Sequence, residues 1–142
     1  MKKTLAIMAL GLGIGSFSFA ADTCRDTELY ANMEDMRSAM RNLSFELRAS
    51  NFESAAEHAQ ALLVSSELSA EHPPFRTQQL NEDEQQAFVE NYQQSMDRLL
   101  ELIADLQASI AEEDGRAAGQ VMAAIDNHSR SSHRQFKARG CN

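Results

Sequence analysis

The sequence is interrupted at only three places beyond its start, and that spacing limits the fold more than any other feature. The breaks are Ser50-Asn51, His72-Pro73-Pro74 and Asp114-Gly115, and the two adjacent prolines are the only ones in 142 residues. Each proline removes a backbone donor and restricts the residue before it, so His72-Pro73-Pro74 cannot be helix interior and residues 70–80 read as the one long connection. Between the breaks the chain is rich in Ala, Leu, Glu, Gln, Ser and Arg, mostly good helix formers. It has no Trp and almost no β-branched runs.

Four amphipathic segments follow. Residues 26–49 place Leu29, Met33, Met36, Met40, Leu43 and Leu47 at three- and four-residue spacing, the period of one helical face. Residues 52–69, capped by Asn51, turn Phe52, Ala55, Ala59, Leu62, Leu63 and Leu68 inward. Residues 82–111 open with Asn81 and Glu84 in capping-box spacing. Their stripe runs Phe88, Tyr92, Met96, Leu99, Leu102 or Ile103, Leu106, Ile110. Residues 116–138, capped by Asp114, carry Ala118, Val121, Met122, Ile125, Ser129, Ser132 or His133, and Phe136 inward, with Gly140 as the stop. Short connections after the first and third segments force antiparallel neighbours. The expected fold is an all-α, antiparallel, up-down-up-down four-helix bundle.

The first twenty residues read as an export signal. Lys2 and Lys3 precede the apolar run from Leu5 to Ile14, and Ser18-Phe19-Ala20 is a small-x-small cleavage site. The expected organisation is therefore a signal peptide at 1–20 and one domain at 21–142, located in the periplasm without membrane insertion. The formal net charge of −8 becomes more negative once Lys2 and Lys3 are removed. Such a surface argues against nucleic acid, whose phosphates require a basic face. No serine, histidine and aspartate arrangement places a nucleophile on a strained turn, so no hydrolase is expected.

The two cysteines, Cys24 and Cys141, flank the helical region. In an up-down-up-down bundle both chain ends lie at the same end, so in an exported protein the pair is expected to form a disulfide. No Cys-x-x-Cys-His occurs, which leaves covalent haem attachment unsupported.

Met33 lies nine residues after Cys24 and His133 eight before Cys141, on adjacent helices. At 1.5 Å per residue each is about 12–14 Å from the clamped end. A thioether and an imidazole facing one another across a bundle core can serve as the axial ligands of a haem iron. The small residues Ser129, Ser131 and Ser132 leave room beside the histidine, and Phe88 and Tyr92 offer rings to stack on a macrocycle. Arg130, Arg134, Lys137 and Arg139 form a basic end suited to haem propionates. Each feature also has a plainer reading. Met33, Met36 and Met40 can be ordinary core, His133 a hydrogen-bonded surface residue, and the basic residues a complement to the helix dipole.

Taken together the segments resemble the soluble cytochrome b562 family. The resemblance is carried in order by Asn32-Met33-Glu34, Pro73-Pro74, the pair Phe88 and Tyr92, and Arg130-Ser131-Ser132-His133 with Phe136-Lys137. It implies a periplasmic one-electron carrier holding one non-covalent haem b per chain, with Met33 and His133 as axial ligands. Pro73, Pro74, Phe88, Tyr92, Arg130 and Lys137 would surround the group. The expected state is a monomer serving an unidentified redox protein partner. Tyr92 stands where the family has Phe, Ser132 stands where it has an aromatic residue, and the cysteine pair is not a feature of its familiar member. The alternative is a haem-free copper-binding bundle, in which Met33, Met36 and Met40 supply soft donors and His58, His72 and His128 supply further ligands. A helical chaperone would require a basic or broadly apolar exposed surface, and the sequence offers neither.

Overall fold

The computed structural model describes residues 23–141. The signal peptide at 1–20 and the expected mature start at Ala21 lie outside the described residues. Helices α1 (Glu28–Arg48), α2 (Phe52–Ala70), α3 (Glu82–Ala111) and α4 (Gly115–Phe136) form the bundle. Two short 3-10 turns, Cys24–Asp26 and Phe75–Gln79, complete the secondary structure among the described residues. No described helix is long and apolar enough to cross a membrane.

Each helix starts where the sequence supplies an acceptor for its unpaired N–H groups. Thr27 Oγ1 accepts from Tyr30 N at 3.1 Å, and Asp114 Oδ1 accepts from Arg116 N and Ala117 N at 3.0 and 2.9 Å. Asn81 and Glu84 form the expected capping box at the start of α3. The α1–α2 and α3–α4 turns share one construction. Ser50 and Glu113 each adopt φ +54°, and the next residue's N–H bonds back to Glu46 O and Ser109 O, at 2.9 and 3.0 Å. This left-handed residue closes the last turn of one helix just before the N-cap of the next.

The core is contributed mainly by α2 and α3. Leu43, Leu62, Ile103 and Leu106 are fully buried. Each stabilises the fold by roughly 1.5–3 kcal/mol relative to exposure. One expected core position is corrected. Leu68 is 44% exposed, and the inward stripe of α2 continues instead through Ser66 and Ser69, both fully buried. Their hydroxyls donate to Leu62 O and Ser65 O at 2.7 Å, so each buried polar atom is satisfied within its own helix. The C-terminal boundary also differs, because α4 ends at Phe136 rather than at 138. Residues 137–141 leave the helix axis, and Gly140 turns the chain at φ +88°.

Helix contacts are uneven around the bundle. The α1–α2, α2–α3 and α3–α4 pairs pack closely, while α1 and α4 scarcely touch. The expected disulfide is present between Cys24 and Cys141, with their Cα atoms 5.9 Å apart. It joins this loosely packed pair of helices at one end.

Candidate haem site between the first and fourth helices

The separation of α1 and α4 opens a cavity of about 710 Å³. Its wall is mostly apolar, a combination typical of small-molecule sites. From α1 it takes Leu29, Met33, Met36 and Met40, and from α4 it takes Met122, Ile125, Ser129 and His133. Tyr92, Met96 and Leu99 of α3 form its floor, and Pro74 and Phe75 reach over it from the middle loop.

Met33 and His133 therefore line the same cavity from opposite helices. Met33 is in the second turn of α1 and His133 in the last turn of α4. Because α4 stops at Phe136, the depth of His133 is counted from that helix end and not from Cys141. At 1.5 Å per residue Met33 is about 8 Å inside the start of α1, and His133 about 5 Å inside the end of α4. His133 keeps an exposed edge at the cavity rim, and its imidazole is held below its ordinary pKa of 6.5, chiefly by this partial burial and then by the positive charges of Lys137 and Arg37. An imidazole kept neutral at physiological pH is the form that binds a metal. The influence of Arg37 also sets this α1 side chain near His133, one turn along from Met33.

The other expected site residues divide into two groups. Pro74, Tyr92 and Lys137 are on the cavity wall. Pro73, Phe88 and Arg130 are not. Pro73 points to solvent while Pro74 is buried. Phe88 stands behind the wall, edge-on to Phe136 at 5.4 Å between centroids, and Tyr92 meets the same ring at 5.4 Å. Arg130 pairs with Asp126, one turn before it at the edge of the cavity wall. Three α1 residues that sequence reasoning overlooked, Arg37, Arg41 and Arg48, lie along the cavity edge. Their i, i+4 and i+11 spacing beside the methionine stripe was the available signal.

Neighbouring contacts fix the shape of the wall. The Tyr92 hydroxyl donates to Ser69 O at 2.7 Å, and burial raises its pKa far above the ordinary phenol value. The Arg76 guanidinium lies 5.7 Å from the centre of the Phe88 ring and donates to Gln135 O at 2.7 Å, which ties the middle loop to the end of α4. His128 also reaches the cavity wall, but its Nε2 is 2.8 Å from Ser95 O and 3.2 Å from Ser95 Oγ. Ser132 Oγ is 2.7 Å from Ser95 Oγ, so this small polar network joins α3 to α4. His72 pairs with Glu28 at 3.0 Å. Among the described residues no three His, Cys, Asp or Glu side chains converge as a metal ion would require.

The donor set suits a haem better than a bare ion. Only one thioether and one imidazole are required, the wall is long and apolar, and Met36, Met40, Met96 and Met122 surround it with polarisable side chains. The wall carries cations at Arg41 and Lys137 that can meet carboxylates at its edge, and Arg37 there pairs with Glu34 at 3.0 Å. Residues 28–137 match the family model for cytochrome b562. No curated protein and no solved structure matches the chain.

Proposed function

The chain belongs to the cytochrome b562 family, whose members are haem-binding electron carriers, and from that premise we propose a periplasmic one-electron carrier with one non-covalent haem b per chain. Met33 and His133 are the proposed axial ligands. The observation that carries the reading is that both line one apolar cavity from opposite helices. Held by the Met33 sulfur and a His133 ring nitrogen, a bound haem would supply one-electron exchange.

The chain's own residues would do the following. His133, its pKa lowered by partial burial and by Lys137 and Arg37, offers a ring nitrogen that is more readily free of its proton. Met33 offers its sulfur from the facing helix. Pro74, Phe75, Tyr92 and Phe136 exclude water from the loop side. Lys137 and Arg41 lie on the cavity wall, where Arg130 does not, and are the proposed partners of the propionates, while Arg37 on the same wall pairs with Glu34 at 3.0 Å. Attachment is non-covalent because the sequence has no Cys-x-x-Cys-His and both cysteines form the disulfide. The disulfide and the export signal support the periplasmic assignment. The net negative charge suits a basic redox partner and a monomeric carrier.

Titration of the haem-free protein with haemin tests this reading. Saturation at one equivalent, a low-spin spectrum and complete removal of colour by acid–ketone are expected. Colour retained on the denatured chain would contradict it. So would failure to bind haemin alongside tight binding of copper(I).

A further inference from the structure

We infer that the Cys24–Cys141 disulfide is a positioning element for the site: it sets the separation of α1 and α4 and so holds Met33 and His133 across one cavity. The inference rests on the ligand assignment proposed above. Elsewhere in the bundle, packing fixes the distance between neighbouring helices. Between α1 and α4 packing is nearly absent, because the cavity occupies the space. The bond crosses that gap at the end where both proposed ligands lie, and Cys24 and Cys141 are themselves part of the wall.

Both anchors are firmly mounted, so the bond can transmit a spacing instead of tethering two loose tails. On the α1 side, Thr27 Oγ1 donates to Cys24 O at 2.7 Å and also caps the helix by accepting from Tyr30 N. Thr23 and Asp26 brace the same turn from its other end, through Thr23 N and Oγ1 to Asp26 Oδ2 at 3.1 and 2.8 Å. On the α4 side, Lys137 N donates to the carbonyl of His133 itself at 3.1 Å. Ala138 is buried, and Gly140, at φ +88°, lets Cys141 N reach Ala138 O at 3.3 Å. A β-carbon at Gly140 would meet no atom within 4 Å, so the glycine serves the left-handed turn and not close packing. Short, hydrogen-bonded paths therefore run from each half of the disulfide to each proposed ligand.

Without the bond, α1 and α4 would be free to splay, and only part of the population would present both ligands at bonding distance. If one molecule in ten remained competent, apparent haem affinity would fall about tenfold. The test compares wild type with Cys24→Ser/Cys141→Ser and with a core variant at the opposite end, Leu106→Ala. Haem transfer to apomyoglobin and the imidazole concentration that displaces the methionine ligand are measured in all three. The serine pair is expected to hold haem with about tenfold lower apparent affinity, read as a larger share of haem passed to apomyoglobin, and to yield its methionine ligand at lower imidazole. Leu106→Ala, which lowers stability without touching the cavity, is expected to change neither. Equal behaviour of wild type and the serine pair would overturn the inference, as would an equal loss of affinity in Leu106→Ala. Amide exchange on the haem-free proteins separates this from the ligand assignment. Loss of the bond should speed exchange selectively in the first turns of α1 and the last turns of α4, whether or not the chain takes up haem. Uniform acceleration over all four helices would refute the positioning role independently.

Discussion

Replacing Tyr92 by Phe isolates one hydrogen bond at the floor of the cavity. The ring stays, with its edge contact to Phe136, and only the O–H is lost. That hydroxyl donates to Ser69 O at 2.7 Å and links α3 to the last turn of α2. The cost depends on what happens to the carbonyl. An orphaned buried acceptor would cost about 1–3 kcal/mol, but Ser69 O also accepts from His72 N at 3.2 Å and keeps that partner. The expected loss is therefore the net value of one buried hydrogen bond, about 1 kcal/mol. For a domain of this size that lowers the melting temperature by roughly 4 °C. Urea and thermal unfolding of the haem-free Tyr92→Phe protein measure it. An unchanged or raised stability would show that the bond contributes nothing, and a loss above about 3 kcal/mol would show that the carbonyl has no second partner. Burial raises the phenol pKa, so ultraviolet titration of the folded wild type should show Tyr92 ionising well above the ordinary phenol range.

Two other outcomes follow from local geometry. Ser50 and Glu113 hold φ +54°, where a β-carbon costs about 1–2 kcal/mol, so Ser50→Gly or Glu113→Gly should raise stability by up to about 1 kcal/mol in thermal unfolding. His133 has a lowered pKa in the fold, so below its ordinary value of 6.5 the unfolded chain binds the proton more readily. Haem-free stability should therefore fall as pH drops through 6.5, and be insensitive to this group above it. His133→Gln should remove that component from urea unfolding curves between pH 5 and 8.

The helices were readable because three breaks and the caps Asn51, Asn81 and Asp114 mark their limits, and α3 begins and ends where the pattern predicts. The disulfide followed from topology, since an even number of antiparallel helices returns both ends to one side. Periodicity failed where polarity and burial part company. Ser66 and Ser69 lie in the core of α2 because their hydroxyls bond to their own helix, and a hydropathy stripe cannot detect that, so Leu68 was assigned inward in their place. Within the site, spacing put Met33 and His133 on neighbouring helices. It could not tell which of two adjacent prolines turns inward, nor that Arg130 is taken up by Asp126. The middle loop was equally opaque. Phe75 reaches the cavity through a short 3-10 turn that residues 70–80 do not announce, and Arg76 secures it by contacts remote in sequence.

The central claim, ligation by Met33 and His133, is tested most directly by the visible and electron paramagnetic resonance spectra of four haem-loaded variants. Met33→Ala should open one axial position, giving a high-spin ferric signal that reverts to low spin on adding imidazole. His133→Ala should retain haem more weakly still. Met36→Ala and His128→Ala should keep the wild-type low-spin spectrum, since the Met36 sulfur is packed 3.5 Å from Ser69 Oγ and His128 is engaged with Ser95. A wild-type low-spin spectrum in Met33→Ala, or its loss in His128→Ala with retention in His133→Ala, would contradict the assignment.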